Sequence, residues 1–98
     1  MKRTDSEKVV ERKLVGLVKI NGGMCIKLLC DQLMGLPDRL CLLPNNKMAF
    51  VETKTTGRKP RRVQAYIHKK LRALGFRVEV IDSIEGVEQF IDNILFEK

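Results

Sequence analysis

Aromatic side chains are scarce in this sequence of 98 residues, which contains no tryptophan, one tyrosine and four phenylalanines. Proteins that bind single-stranded nucleic acids commonly stack the bases on a platform of aromatic rings. These few aromatic residues cannot build such a platform, so the sequence predicts against single-strand binding by stacking.

Cysteine and histidine are also rare, with three cysteines, one histidine and no Cys-x-x-Cys pair. The odd cysteine count and the lone histidine argue against a zinc site and against a disulfide framework. We interpret Cys25, Cys30 and Cys41 as small apolar residues of strands in a reducing compartment.

The sequence also lacks a secretory signal and any long hydrophobic run. A membrane-spanning helix needs about 20 consecutive apolar residues. We therefore expect a cytoplasmic protein with no membrane partner.

Acidic residues are outnumbered, because 19 lysines and arginines face 12 aspartates and glutamates and leave a formal net charge of +7. Such an excess indicates an acidic partner, most often nucleic acid. The alternative is a small protein that is merely basic.

Hydrophobic periodicity predicts an α/β protein of element order αβββαβα, in one domain spanning residues 1–98 with a hypothesised disordered tail at 1–4. The elements are a helix from 5 to about 20, strands at 24–30, 38–43 and 47–54, a helix with Pro60 as its first residue, a strand at 76–81 and a last helix with a capping box of Asp82 and Glu85. The second helix would bury Val63, Ile67, Leu71 and Leu74, and the last would bury Val87, Phe90, Ile91 and Ile94.

Three charged residues occupy unexpected positions in the predicted hairpin. Glu52 and Lys54 share a strand face with Phe50, and Asp38 opens the preceding strand at the same end of the hairpin. Two carboxylates brought together need neutralisation, which a divalent cation supplies, and oxygen ligands select Mg²⁺ or Mn²⁺. Such a site suits phosphodiester hydrolysis, with Lys54 acting on the attacking water or on transition-state charge. The alternative is a solvated hairpin with surface charges.

Asp38 followed by Glu52-Thr53-Lys54 resembles the signature of the PD-(D/E)XK nucleases. The wider sequence resembles the virus-type replication-repair nuclease (VRR-NUC) domain, above all its small stand-alone bacteriophage versions. The resemblance spans residues 7 to about 95 and departs from the family at Asn45-Asn46, where many relatives have glycine. The matching parts are Gly22-Gly23 with Lys27, Gly35-x-Pro37-Asp38-Arg39-Leu40, Phe50-x-Glu52-x-Lys54, Gln64 and Leu71-Arg72-Ala73-Leu74-Gly75-Phe76.

The resemblance implies a restriction-endonuclease-like core with a mixed central sheet flanked by helices. It also implies a homodimeric DNA-repair endonuclease that cleaves branched double-stranded DNA such as Holliday junctions. The enzyme would use Mg²⁺ or Mn²⁺ and no nucleotide cofactor. It would act in the host cytoplasm if a phage encodes it. Asp38, Glu52 and the carbonyl of Thr53 become metal ligands, and Lys54 becomes the catalytic lysine. Gln64 becomes a substrate- or water-positioning group of the same site.

A glutamate of the first helix would complete the metal site, and two candidates stay open. Glu11 is favoured because it lies eleven residues before Gly22, a spacing similar to that of archaeal junction resolvases. Glu7 is the alternative, and both could instead be solvated carboxylates at a helix start. His68 lies one turn beyond Gln64 and is interpreted as structural, the commoner role of a lone histidine.

Basic residues follow Lys54 closely and are the predicted contacts to the DNA backbone. Phosphate contacts position a duplex without reading its sequence, so recognition of DNA shape with strong salt dependence is expected. The predicted DNA-binding residues are Arg58, Lys59, Arg61 and Arg62, with Lys27 and Arg39 flanking the site.

Symmetric cleavage of a junction needs two sites related by a two-fold axis, which favours a homodimer. The candidate interface residues are Phe90, Ile94 and Phe96 of the last helix and the loop Leu33-Met34. Three other functions stay open. They are a non-specific nicking or flap endonuclease, a catalytically silent DNA-binding module and a toxin-like RNase.

Overall fold

The computed structural model describes residues 3–29 and 33–97. Its elements follow the predicted order and are α1 (Glu7–Ile20), β1 (Met24–Lys27), β2 (Arg39–Leu43), β3 (Lys47–Thr53), α2 (Arg62–Ala73), β4 (Val78–Ile81) and α3 (Ile84–Leu95). Within these described ranges, no helix has the length and apolar character needed to cross a membrane.

The sheet is mixed and has the strand order β1-β2-β3-β4. The first three strands are antiparallel, and β3 pairs with β4 in parallel across the α2 connection. Asn45 and Asn46 both have positive φ angles, 64° and 62°, which gives the β2–β3 turn the left-handed backbone of a tight hairpin. Asparagine tolerates this conformation, so the turn forms without the glycine of many relatives.

One face of the sheet carries the main core, between the strands and the helices α1 and α3. The strands contribute Cys41, Ala49 and Val51, which alternate with residues of the opposite face. The predicted apolar face of α3 is confirmed, since Val87, Phe90, Ile91 and Ile94 are all buried there.

Burial corrects the predicted dimer interface at two positions. Phe90 and Ile94 are 4% and 1% exposed, so they cannot meet a second subunit. Phe96, Leu33 and Met34 remain exposed, by 79%, 45% and 70%.

The start of α3 also differs from the expected capping box of Asp82 and Glu85. Ser83 is the N-cap, and its Oγ accepts from Gly86 N at 2.9 Å. Asp82 instead accepts from Gly57 N at 2.9 Å through its Oδ2. The hydroxyl of Ser83 satisfies an amide that the helix leaves unpaired, which frees Asp82 to fix the loop after β3.

The hypothesised tail lies partly outside the described residues, which exclude Met1 and Lys2. Arg3 pairs with Asp5 and Glu85. Asp5 is buried, and its Oδ2 accepts from Ile84 N, the first residue of α3, at 2.9 Å. The segment before α1 is thereby tied to the start of α3.

The helix α2 covers the other face of the sheet, and both its first residue and its buried face differ from the prediction. It begins at Arg62, with Arg61 as N-cap, so Pro60 precedes the helix and is not its first residue. Val63 and Leu74 are 37% and 74% exposed. The buried residues are Gln64, Ile67 and His68, because this face of α2 packs over the polar end of β3 and not over an apolar surface.

Candidate active site

Asp38 and Glu52 meet at one end of the β2–β3 hairpin. The antiparallel register pairs Arg39 with Val51, and the next pair beyond it is Asp38 with Glu52. Asp38 is held there because its carbonyl accepts from Leu28 N at 2.8 Å, which continues the β1–β2 pairing past the end of β2. The hairpin therefore brings together the two carboxylates that the sequence predicts at this sheet edge.

Gly35 fixes the loop that delivers Asp38. Its φ of +95° favours glycine, and an added Cβ would lie 2.6 Å from the carbonyl oxygen of Val63 and 3.0 Å from Cγ1 of Ile67. This close approach sets the loop before Asp38 directly against α2.

Glu52 is an almost fully buried carboxylate, with 1% of its surface exposed. Burial, and next the negative charge of Asp38, raise the pKa of Glu52 to about 7, against the lowering effect of Lys54. A carboxyl group in this state holds a proton at slightly acidic pH and gives it up when a cation arrives.

Lys54 lies beside Glu52, as the shared strand face predicts. Its Nζ is 3.4 Å from Glu52 Oε2, and 14% of the side chain is exposed. The ammonium group therefore stands between the buried carboxylate and the solvent side of the site, where a substrate would arrive.

Gln64 donates to the same carboxylate oxygen, with Nε2 3.2 Å from Glu52 Oε2. The amide cannot turn round freely, because its Oε1 accepts from Arg61 N at 2.8 Å at the start of α2. The helix start thus orients Gln64, and Gln64 orients Glu52.

His68 belongs to the same site, although the sequence led us to interpret it as structural. It is 1% exposed, and its Nε2 lies 4.0 Å from Glu52 Oε1. Burial first, and then the positive charges of Arg72 and Lys54, lower the pKa of His68. Its position four residues after Gln64, on the same helix face, was the sequence signal that could have revealed it.

Thr53 lies at the end of β3, paired in parallel with Ile81. Its side chain is fully buried, and its Oγ1 has no hydrogen-bond partner in the described part of the chain. The following residue is fixed by a bond from Lys54 N to the carbonyl of Ile81 at 3.0 Å.

The two glutamates of α1 occupy different surroundings. Glu11 Oε2 accepts from Arg39 Nε at 3.1 Å and from Nη2 at 3.0 Å, so this carboxylate is held at the start of β2. Glu7 is exposed, and its N–H donates to Thr55 Oγ1 at 3.1 Å, just past Lys54. Glu7 therefore lies at the exit of β3, and Glu11 at the entry of β2.

The predicted DNA-binding residues divide into two groups. Four are exposed on the loop and helix start that follow β3, and Lys27 is exposed at the end of β1. Arg39 is only 15% exposed and is engaged with Glu11. The exposed group after β3 is Arg58, Lys59, Arg61 and Arg62.

The residues present fit a hard divalent cation. Asp38 and Glu52 supply facing carboxylate oxygens, and the buried Glu52 Oε1 has no hydrogen-bond partner among the residues that the structure describes. In the part of the chain that the structure describes, no three His, Cys, Asp or Glu side chains already form a metal cluster. Two carboxylates with one unpaired oxygen still match the oxygen ligands that Mg²⁺ and Mn²⁺ prefer.

A mixed four-stranded sheet between helices, with an Asp and a Glu-x-Lys pair at the end of one hairpin, defines a restriction-endonuclease-like fold of the PD-(D/E)XK type. No family model matches the chain. A solved structure described as "VRR_NUC domain" superposes with a TM-score of 0.83, covers 90% of this chain and 97% of its own, and is 29% identical in sequence.

A curated relative points to the same family. The "Putative nuclease p44" of Acyrthosiphon pisum secondary endosymbiont phage 1 is 44% identical over 77 residues, which are 79% of this chain and 83% of that protein. The chain belongs to the VRR_NUC family of nucleases, and both the predicted fold and the predicted resemblance to the small phage proteins are confirmed.

Proposed function

We propose that this nuclease is a metal-dependent endonuclease that hydrolyses phosphodiester bonds in branched double-stranded DNA. The observation that carries the proposal is the contact of Lys54 with the buried Glu52, whose pKa burial and Asp38 raise to about 7. A buried carboxylate with a neighbouring carboxylate and one unpaired oxygen is costly to fold unless it has a use.

The carboxylates of Asp38 and Glu52 and the carbonyl of Thr53 would hold Mg²⁺ or Mn²⁺, with Glu7 or Glu11 as a further ligand. A bound divalent cation supplies Lewis-acid activation of the scissile phosphate and lowers the pKa of water. Since Arg39 holds Glu11 in the structure, Glu11 would have to leave this partner to reach a cation.

The remaining steps belong to the side chains of this chain. Lys54 orients the attacking water and stabilises the negative charge that develops on the phosphate oxygens. Gln64, fixed by Arg61 N, holds Glu52 in place while the substrate binds. Arg58, Lys59, Arg61 and Arg62 bind the phosphates of the flanking duplex at the start of α2.

Branched DNA is the proposed substrate because the resemblance to the small phage proteins implies it, and the exposed basic cluster beside the site supplies contacts to the phosphates of its duplex arms. A homodimer is proposed because one site cuts one strand, and two sites related by symmetry cut a junction evenly. Leu33, Met34 and Phe96 supply exposed apolar surface for such a contact.

Cleavage of an end-labelled four-way junction beside a linear duplex of the same sequences tests the proposal. We expect paired, symmetric nicks in the junction with Mg²⁺ or Mn²⁺ and none with EDTA. Glu52→Ala and Lys54→Ala should each lower the rate by roughly 10²-fold or more, the cost of losing one group that stabilises developing charge.

The other outcomes of this assay identify the other functions. Equal cutting of junction, flap and linear duplex would indicate a non-specific nicking or flap nuclease. Tight binding without cleavage under either metal would contradict the proposal and leave a DNA-binding module. Cleavage only of strands with a 2′-hydroxyl would indicate an RNase.

A further inference from the structure

Two polar atoms of the site face each other, and neither has a hydrogen-bond partner within residues 3–29 and 33–97. They are Nε2 of His68 and Oε1 of Glu52, and both are buried. The distance between them is 4.0 Å, which is too long for a hydrogen bond as the side chains stand. Buried polar groups nearly always form hydrogen bonds. A nitrogen that can donate and an oxygen that can accept, both without a partner and this close together, are therefore candidates to bond to each other.

The helix α2 presents His68 to Glu52 by the same geometry that presents Gln64. The two residues are four apart and therefore share a helix face. Gln64 donates to Oε2 of Glu52 at 3.2 Å. The oxygen nearest to His68 is the other one, Oε1, so each carboxylate oxygen faces one nitrogen of α2.

The contact needs a proton on one particular ring nitrogen of His68. Burial is the largest cause that disfavours its imidazolium, the cationic Arg72 and Lys54 act in the same direction, and the anionic Asp38 opposes them. A neutral imidazole carries its proton on one nitrogen only. Donation to Glu52 requires that this nitrogen be Nε2.

We propose that His68 is a positioning residue of the active site, which donates its Nε2–H to Oε1 of Glu52 while Gln64 holds Oε2. The second lone pair of Oε1 then remains available to a cation, whereas Oε2 also faces Nζ of Lys54 at 3.4 Å. This inference rests on the proposed function for its consequence, which is a carboxylate already oriented for the metal, but the contact itself can be measured without metal.

The single histidine of the chain makes the contact directly observable. A long-range ¹H–¹⁵N spectrum of the uniformly ¹⁵N-labelled protein, recorded at pH 8 in EDTA, contains the signals of one imidazole. We expect a protonated Nε2 and an unprotonated Nδ1, as donation to Glu52 requires, and we expect the Nε2–H proton signal to move upfield in Glu52→Ala, where that hydrogen bond is lost. A proton on Nδ1 in the unsubstituted protein would overturn the proposal.

Binding of Mn²⁺, followed by electron paramagnetic resonance, measures the consequence. His68→Leu should weaken Mn²⁺ binding by roughly 10–100-fold, the usual effect of removing a partner of a metal ligand. His68→Gln keeps a donor and should recover most of the affinity. Lys69→Leu, at the exposed neighbouring position, is the matched control and should bind as the unsubstituted protein does.

The two experiments separate the inference from the proposed function. If the unsubstituted protein binds no Mn²⁺, the metal-dependent function fails, and the tautomer still decides whether His68 contacts Glu52. If the unsubstituted protein binds Mn²⁺ and His68→Leu, folded by circular dichroism, binds it equally well, the positioning role of His68 is refuted.

Discussion

Glu52 combines two requirements that oppose each other. A metal ligand must be ionised, whereas burial and the neighbouring Asp38 favour its protonated form. Gln64 donates a hydrogen bond to Oε2 of Glu52, and Lys54 places a positive charge beside the same oxygen. These two contacts reduce the cost of burying the ionised carboxylate without removing it. The pKa of Glu52 therefore lies near neutral pH, where a metal ion can displace the proton of the carboxyl group.

This conflict predicts a pH-dependent stability that Glu52→Gln should remove. The folded pKa of Glu52, about 7, exceeds its ordinary value of 4.5. The stabilising contribution of the proton is full below pH 4.5 and is lost as pH rises through 7, because the unfolded chain ionises first. In EDTA, Glu52→Gln should gain about 1–3 kcal/mol relative to the unsubstituted protein between pH 4.5 and pH 8.

Urea unfolding at several pH values measures this difference. Glu7→Gln, which changes an exposed carboxylate, is the control and should leave the pH dependence unchanged. Parallel stability curves for the unsubstituted protein and Glu52→Gln would show that the pKa of Glu52 is ordinary.

For single residues, the sequence predicts the positions of three side chains of the site well and those of two others, Glu11 and His68, poorly. The strand period and the hairpin turn are enough to bring Asp38, Glu52 and Lys54 together. They say nothing of how Glu11 is oriented, because Arg39 holds it across the gap between helix and strand. The same holds for His68, whose burial depends on how α2 lies on the sheet.

Among the elements, the β2–β3 hairpin depends on two asparagines with left-handed backbone. Asn46→Ala should destabilise the protein by about 1 kcal/mol, because alanine bears the steric cost of that conformation without the local hydrogen bonds of asparagine. Asn46→Gly, which adopts this conformation freely, should be at least as stable as the unsubstituted protein.

Thermal or urea unfolding of the two variants checks this prediction. The turn lies at the opposite end of the hairpin from Glu52, so cleavage by both folded variants should be unchanged. Equal stability of Asn46→Ala and Asn46→Gly would contradict the importance of the left-handed turn.

The helix α2 shows where element prediction fails. Apolar spacing assigned its buried face to Val63, Ile67, Leu71 and Leu74, and only Ile67 among them is buried. The buried face of α2 instead contains Gln64 and His68, because this face packs against the carboxylate of Glu52. Hydrophobic periodicity cannot predict the buried face of a helix when the residues buried on that face are polar. It finds α1 and α3 well, since both pack on an apolar sheet face.

At the scale of the whole molecule, the net charge is +7, and the loop and helix start after β3 contribute four exposed basic residues to it. If Arg58 and Lys59 contact phosphates, replacing both by serine should reduce the slope of log K against log salt by about 0.9 for each lost contact. Lys19→Ser with Lys47→Ser removes the same charge from the end of α1 and from the hairpin turn, far from Glu52 along their elements.

Junction binding in EDTA, titrated over a range of salt concentrations, compares the two double variants. We expect the slope to fall only in Arg58→Ser/Lys59→Ser. An equal fall in both variants would mean that overall charge attracts the DNA and that the cluster after β3 has no special role.

The close packing of Gly35 against α2 has a consequence for how such genes can recombine. Gly35, Asp38, Glu52, Lys54, Gln64 and His68 all lie within one uninterrupted segment, residues 35–68. An exchange between related genes that leaves this segment whole transfers a loop, a hairpin and a helix already fitted to one another. A crossover inside it would join a loop from one parent to a helix from another, and the contact at position 35, which leaves no room for a Cβ, would be lost if the two did not match.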